Sequence, residues 1–561
     1  METNSFDAIV VGTGISGGWA AKELTEKGLK TLVLDRGRMV RHGEYPTATK
    51  TPWELPNGNR ITQEIRRRKP VQSRTSYPTP ANEHWFVDDL EHPYVESQPF
   101  DWLRGYHVGG RSLLWARQSY RLSPLDFEAN AKEGVAIPWP VSYDEIAPWY
   151  DKVENFAGIS GSTDGLAQLP DGQFLPPMEL NCVEMDFQKR LGDKLQRRLI
   201  IGRTANLTAP LRHNESPQRP TCQYRNLCIR GCPYGGYFSS VSATLPSAER
   251  TGNMTLLADQ IVYEVIYDND KGKATGVRVL DANTGKQSEY FAKVIFMCAS
   301  ALGSAFILLN STSTRFPNGF GNDSGELGHN IMDHNKPGGS SASVEGFLDT
   351  AYTGRRPNGF YIPRYRNVGK DKRDYLRGFG YQGRAQRAGY SRFNDSALIG
   401  AELKQAVREP GPWGISMTAF GEILPYHENH ATLDRTKKDK HGLPMLAISA
   451  VVRDNELKMQ EDMRNDAGEM LEAAGYKNVT VRSDNYNVGN SIHEMGTARM
   501  GADPRKSVLN KFNQVHACKN VFVTDGSFMV SSACQNPSLT YMAFTARAVD
   551  HAVAELKKGN L

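Results

Sequence analysis

The chain has 561 residues, 39% hydrophobic and 23% charged, so it can bury a large core and does not have the composition of a disordered segment. Sixty-seven basic residues against 62 acidic ones leave a formal charge of +5, too weak to argue for nucleic acid. Seven cysteines are an odd number that argues against a disulfide scaffold, and no run approaches the roughly eighteen apolar residues of a membrane-spanning helix.

The opening METNSFDAIVVG lacks the basic, apolar and small-residue blocks of a signal peptide, so no export address is expected in the chain itself. The segment FDAIVVGTGISGGWAAKELTEKGLKTLVLDRG predicts a strand over Phe6 to Val11, a glycine turn, a helix to Lys27 and a second strand ending at Asp35. Gly12, Gly14 and Gly17 form GxGxxG between strand and helix, permitting a tight turn, the close approach of a pyrophosphate, and close helix packing. The helix N-terminus favours the phosphate charge. Asp35 stands at the strand end, where a carboxylate accepts from ribose hydroxyls. This βαβ unit predicts a dinucleotide site.

Residues 41–99, rich in Pro, Arg and His without periodicity, predict a long surface excursion and a candidate lid. The RRRKP run inside it reads as a solvated basic face. Three cysteines then crowd into PTCQYRNLCIRGCPYGG with the spacing C-x5-C-x3-C. Residues 254 to 298 return to strands, and 340 to 485 read as alternating strands and loops in a separate sheet, with DKHGLP turning one hairpin. A last helix is expected over Tyr541 to Lys557. No repeat or low-complexity tract appears.

Several blocks resemble, in order and across nearly the whole chain, the signatures of the glucose-methanol-choline (GMC) oxidoreductases. They are HVGGRSLLWARQSYRLSPLDF, ASALGSAFILLNS, LGHNIMDH, HEMGTARMG, TDGS and NPSLTYMAFTARAVD. The resemblance implies an α/β chain with a Rossmann-like FAD-binding domain assembled from 1–40, 100–130, 200–335 and 486–561. A substrate domain from 131–199 and 336–485 would rest on a mostly antiparallel sheet. Gly109 and Gly110 would let backbone pass close to the flavin ring, although VGG alone reads as an ordinary turn. Ser112, Asp525, Gly526 and Pro537 are assigned to the cofactor side. Some members attach FAD covalently through a histidine two residues after the serine of this block; here Leu113 and Leu114 follow Ser112, so FAD is expected to be non-covalent.

Alcohol oxidation by a flavin needs a base for the hydroxyl proton, and imidazole suits that task near neutral pH. His493 in HEMGT is the candidate, and the family pattern places Asn536 of the NP dipeptide as the group that holds the reacting oxygen. His329 and His334 read as structural or cleft-lining. Cys182, Cys298, Cys518 and Cys534 read as core.

Cys222, Cys228 and Cys232, followed by Pro233, resemble the cysteines that hold a 3Fe-4S cluster in the catalytic subunits of bacterial FAD-dependent glucose and glycoside dehydrogenases. Zinc with His213 as a fourth ligand, or a disulfide plus a spare thiol, are the alternatives. The resemblance also implies a small partner subunit carrying an export signal, a cytochrome acceptor, and a place on the periplasmic side of the inner membrane; otherwise the chain is expected in the cytoplasm. The expected reaction is oxidation of a secondary hydroxyl of a sugar or glycoside, at C3, with electrons leaving through the cluster. A sugar oxidase using oxygen and a catalytically silent flavin-binding subunit are the rival readings.

Overall fold

The computed structural model describes residues 4–211, 219–352, 358–393, 396–483 and 486–561. The strand Ser5–Val11 pairs in parallel with Thr31–Leu34 on one side and with Gln287–Met297 on the other. Its inner residues Ala8, Ile9 and Val10 are fully buried, as a parallel strand covered on both faces requires. The eight-stranded sheet runs in the order Gln514–Val515, Cys518–Val523, Gln287–Met297, Ser5–Val11, Thr31–Leu34 and Met254–Leu257. The long strand Gln287–Met297 serves two neighbourhoods. Its second half pairs with the parallel strands, and its first half pairs antiparallel with Lys273–Asp281, which forms a hairpin with Gln260–Asp268.

The helix Ile15–Glu26 packs against this sheet and against the C-terminal helix Ser538–Lys557. A third helix, Tyr143–Ala157, closes the layer, with Trp19 and Phe156 edge to face at 5.2 Å and the Tyr150 hydroxyl 2.8 Å from Thr540 Oγ1. The segment 131–199, expected in the substrate domain, therefore sends this helix onto the dinucleotide-binding layer.

The second sheet has seven strands, and all its pairs are antiparallel. Its order is Lys477–Ser483, Gly338–Val344, Trp413–Glu422, Phe379–Arg387, Phe360–Ile362 and Ile200–Ile201, with His334–Asn335 attached to Trp413–Glu422. Period-2 alternation decides its faces. Phe379, Tyr381, Trp413, Ile415, Met417 and Ala419 point into one apolar cluster, while Gln382, Ser416, Thr418 and Phe420 stay partly exposed on the other face.

Two findings differ from the reading of 340–485 as strands and loops. Residues Asp454–Ala473 form a 20-residue helix that backs the apolar face of the sheet through Met459, Met463, Ala467, Met470 and Leu471. Charged residues between those positions dilute the apolar signal, yet the helical spacing of Met459, Met463, Ala467 and Met470 was present to be read. The hairpin His430–Lys438 with Pro444–Ser449 forms around DKHGLP, but it joins Val95–Glu96 in a separate three-stranded sheet.

The excursion 41–99 is mostly irregular but pinned down. Buried Asp89 accepts from the backbone of Val71 and Gln72, from Gln72 Nε2 at 2.8 Å and from Arg104 Nη2 at 3.1 Å.

Candidate active site

The turn after the first strand is built by close backbone contact. Gly12 has φ +100°, and a Cβ on Gly17 would lie 1.9 Å from Gly12 O, so neither position tolerates a side chain. Gly14 differs: no atom of the described residues lies within 4 Å of where its Cβ would be. That open space adjoins the start of the helix Ile15–Glu26, where the buried Ser16 hydroxyl has no partner among the described residues. A free N-terminus, an orphan donor and room beside a glycine are what a pyrophosphate needs, so the residues present fit the FAD of the expectation.

Asp35 sits just past the second strand. Its carboxylate accepts from Thr13 N at 3.1 Å, from the Thr13 hydroxyl, and from Gly37 N at 2.9 Å. Burial raises its pKa and these donors oppose the rise. The carboxylate thus braces the glycine turn, and three of its roughly four acceptor positions are taken by the chain. Gly109 has φ +85° and donates its N–H to Thr13 Oγ1 at 2.8 Å, and Gly110 lies against Gly14. Ser112 is a brace as well: its hydroxyl donates to Gly109 O at 2.6 Å and accepts from Ser240 N at 3.0 Å. Asp525 accepts from Ser527 N and the Ser304 hydroxyl, and Gly526 is hemmed in by Glu494 O and the Tyr541 hydroxyl, itself buried without a partner among the described residues. Pro537 caps the C-terminal helix.

His493 and Asn536 come together. Asn536 Nδ2 is 3.5 Å from His493 Nε2, a long contact in which the two groups face each other across a gap that a hydroxyl oxygen can share. Gln382 Nε2 donates to Asn536 Oδ1 at 2.6 Å and so turns the amide nitrogen toward His493. On the other side of the ring, His493 Nδ1 is 2.7 Å from His334 Nδ1. For both contacts to be hydrogen bonds, His493 must carry its proton on Nδ1 and leave Nε2 as the acceptor, the state a base requires. His334, read from sequence as structural or cleft-lining, is a direct partner of His493. His329 stacks on His427, ring centroids 4.0 Å apart, away from the pair.

The backbone around His493 is fixed from below. Asp333 accepts from His493 N at 3.1 Å, Gly489 N at 2.8 Å and Ser491 N at 3.1 Å. Burial, aided by Glu494, pushes its pKa up to about 7. Glu494 is clamped by Arg111 through two hydrogen bonds of 3.0 and 2.6 Å, and Arg111 also reaches Ile492 O. Ile492, just before His493, has φ +61°, a strained conformation for a β-branched residue that this surround enforces. The loop holding Asn536 is tied to the second sheet by Ser532 N donating to Glu422 Oε1 at 3.2 Å.

Sequence reading missed Gln382, Lys336, Tyr77 and Phe420. The alternation in FGYQGRAQR puts Gln382 opposite Phe379 and Tyr381 in facing and carried the only local signal. The amide-to-amide contact predicts that Gln382→Leu frees Asn536 to rotate and slows flavin reduction about 10- to 100-fold with a smaller change in KM, measured by rapid mixing.

All seven cysteines are free, which removes the disulfide alternative. Cys182 is half-buried rather than core, while burial pushes the Cys534 thiol up to about 12. Cys222 Sγ accepts from Tyr224 N at 3.5 Å. Burial, opposed by nearby Arg117, raises the Cys222 and Cys228 thiols, and each thiol also feels Cys232. The ligand set expected from the spacing is not assembled: among the described residues no three His, Cys, Asp or Glu side chains are arranged to hold a metal ion. His213 lies outside the described residues. The cysteine loop packs on the start of the excursion, with Arg230 donating to Lys50 O at 2.7 Å and Arg225 to Ala48 O at 2.6 Å.

A family model described as GMC oxidoreductase matches residues 6–336 in its N-terminal part and 425–545 in its C-terminal part. The large subunit of fructose dehydrogenase from Gluconobacter japonicus is 27% identical, covering 100% of this chain and 99% of that one. A 2-methyl-1,2-propanediol dehydrogenase from Mycolicibacterium austroafricanum is 28% identical over 97% of this chain and 94% of that one. Among solved structures, pyridoxine 4-oxidase from Mesorbium loti superposes with a TM-score of 0.60 at 16% identity, covering 98% of this chain and 99% of that one.

Proposed function

Because this chain belongs to the GMC oxidoreductase family, FAD-dependent enzymes acting on CH–OH groups, we propose that it oxidises a secondary hydroxyl of a sugar or glycoside, at C3 of the ring. One observation carries the reading: His493 Nε2 and Asn536 Nδ2 face each other at 3.5 Å beneath a sheet face of Gln382, Ser416 and Thr418. That wall offers hydrogen bonds to a polyol through Gln382, Ser416 and Thr418. Bound FAD supplies the acceptor for the hydride that leaves the carbinol carbon. The chain's own part is to take the hydroxyl proton on His493 Nε2, to hold the oxygen with the Asn536 amide, and to keep both fixed through His334, Gln382 and Asp333. Gly14, Ser16 and Gly110 would lie along the cofactor, and residues 131–199 and 336–485 would form the substrate domain.

Electron exit is proposed to run through a 3Fe-4S cluster on Cys222, Cys228 and Cys232 to a cytochrome. Their spacing, the Tyr224 N–H directed at Cys222 Sγ and the nearby cation of Arg117 support this, because thiolate clusters are tuned by such donors and charges. The fructose dehydrogenase relative is named as a large subunit, which supports a small partner for this chain and, with it, a periplasmic membrane-side location. No helix among the described residues is long and apolar enough to cross a membrane.

The test is anaerobic titration of the flavin-loaded chain with glucose, a methyl glucoside and gluconate. Bleaching of the flavin band by at least one of them is expected, and no bleaching by any polyol overturns the reading. Paramagnetic resonance of the same sample is expected to show an iron signal that Cys228→Ser removes. An iron-free, fully active preparation overturns the cluster alone.

A further inference from the structure

Lys336 follows the strand His334–Asn335 and is half-buried in the cleft beside the catalytic pair. Its ammonium donates to the Tyr77 hydroxyl at 2.8 Å and lies 4.8 Å from the Tyr77 ring centroid and 5.9 Å from that of Phe420. The same Phe420 ring is 6.4 Å from His493 and 6.1 Å from His334, so one phenyl group is ringed by the base, its partner and the ammonium. No carboxylate of the described residues lies within ion-pair distance of Lys336. In this it differs from Arg111, which is clamped by Glu494 in the same region. A partly desolvated cation whose near neighbours are a phenol and two rings lacks the counter-charge that such groups ordinarily take.

A second cation shares the face. Arg384 follows Gln382 by two residues in the strand Phe379–Arg387, hence on the same side of the sheet, and it is exposed with no ion pair among the described residues. The side chains that act on His493 are His334, Arg111 and Lys336, the last two of them cations. Of the carboxylates beside the pair, Glu494 is committed to Arg111 and Asp333 to the backbone N–H groups of Gly489, Ser491 and His493.

We propose that Lys336 and Tyr77 form a carboxylate subsite, so that the preferred substrate is a polyol bearing an acid group, an aldonic or uronic acid or its glycoside, rather than a neutral sugar. This deepens the function proposed above and rests on it. The carboxylate takes charge-assisted hydrogen bonds from the ammonium and the phenol, while a hydroxyl of the same molecule lies between His493 and Asn536. Arg384 at the rim steers the anion inward.

Rapid-mixing flavin reduction on the flavin-loaded full chain tests this with matched pairs, glucose against gluconate and a methyl glucoside against the corresponding methyl glucuronide. The wild type is expected to favour the acid of a pair by about 10-fold or more in kcat/KM, with rising salt eroding that preference. Lys336→Met is expected to collapse the acid-to-neutral ratio, and Lys336→Arg to retain most of it. Flavin content and melting temperature verify that both variants are folded. Neutral substrates reducing the flavin as well as or better than acids overturns the subsite while leaving the function intact. Equal losses on both members of a pair in Lys336→Met also overturn it, assigning Lys336 instead to the reacting oxygen. Absence of reduction by every polyol defeats the underlying function, and this inference with it.

Discussion

Replacing His493 with alanine is expected to slow flavin reduction by substrate about 10²- to 10⁴-fold while leaving flavin content unchanged, the range that loss of a positioned general base produces. The side chain touches His334 and faces Asn536, and Asp333 holds its backbone rather than its ring, so the alanine variant keeps its backbone contacts and loses the imidazole proposed as proton acceptor. The pH profile carries a further signature. Burial first, then the neighbouring His334 and the cations of Arg111 and Lys336, hold the His493 pKa well below its usual 6.5. A depressed pKa keeps the imidazole neutral, and therefore basic, down to lower pH. The acid limb of kcat/KM is accordingly expected below pH 6.5, and Lys336→Met is expected to move it upward. A wild-type limb above 6.5, or a His493→Ala variant that reduces flavin at the parental rate, would assign the proton to a different group.

The second large effect belongs to the glycine turn, where two neighbouring glycines are expected to fail in different ways. A Cβ on Gly17 meets Gly12 O at 1.9 Å and Gly12 C at 2.7 Å; backbone cannot swing aside as a side chain can, so Gly17→Ala is expected to destabilise the whole first βαβ unit and to lose flavin. A Cβ on Gly14 meets no atom of the described residues within 4 Å. Gly14→Ala is therefore expected to leave the melting temperature of the flavin-free protein unchanged within error while weakening FAD affinity at least about tenfold, because the methyl group occupies space next to the helix N-terminus where a pyrophosphate sits. Thermal melting with and without FAD separates the two. If Gly14→Ala retains wild-type affinity, the cofactor does not pass this turn as proposed.

Local sequence determined the elements that carry their own periodicity or turn chemistry. Ser5–Val11, the GxGxxG turn and Ile15–Glu26 were legible because strand burial, glycine geometry and helix start all coincide within about thirty residues. HEMGT and the NP dipeptide named His493 and Asn536 through family resemblance, and the tertiary structure then brought them face to face. Only the tertiary structure decided what surrounds them. His334 reaches His493 across 159 residues of chain and Gln382 reaches Asn536 across 154, distances over which no period in the sequence carries information. Three-cysteine spacing likewise named chemistry without determining that the thiols converge. Periodicity encodes which face of a strand or helix is buried, whereas which faces meet is decided by tertiary packing, and that packing is what brings His493, Asn536, Gln382 and Lys336 together.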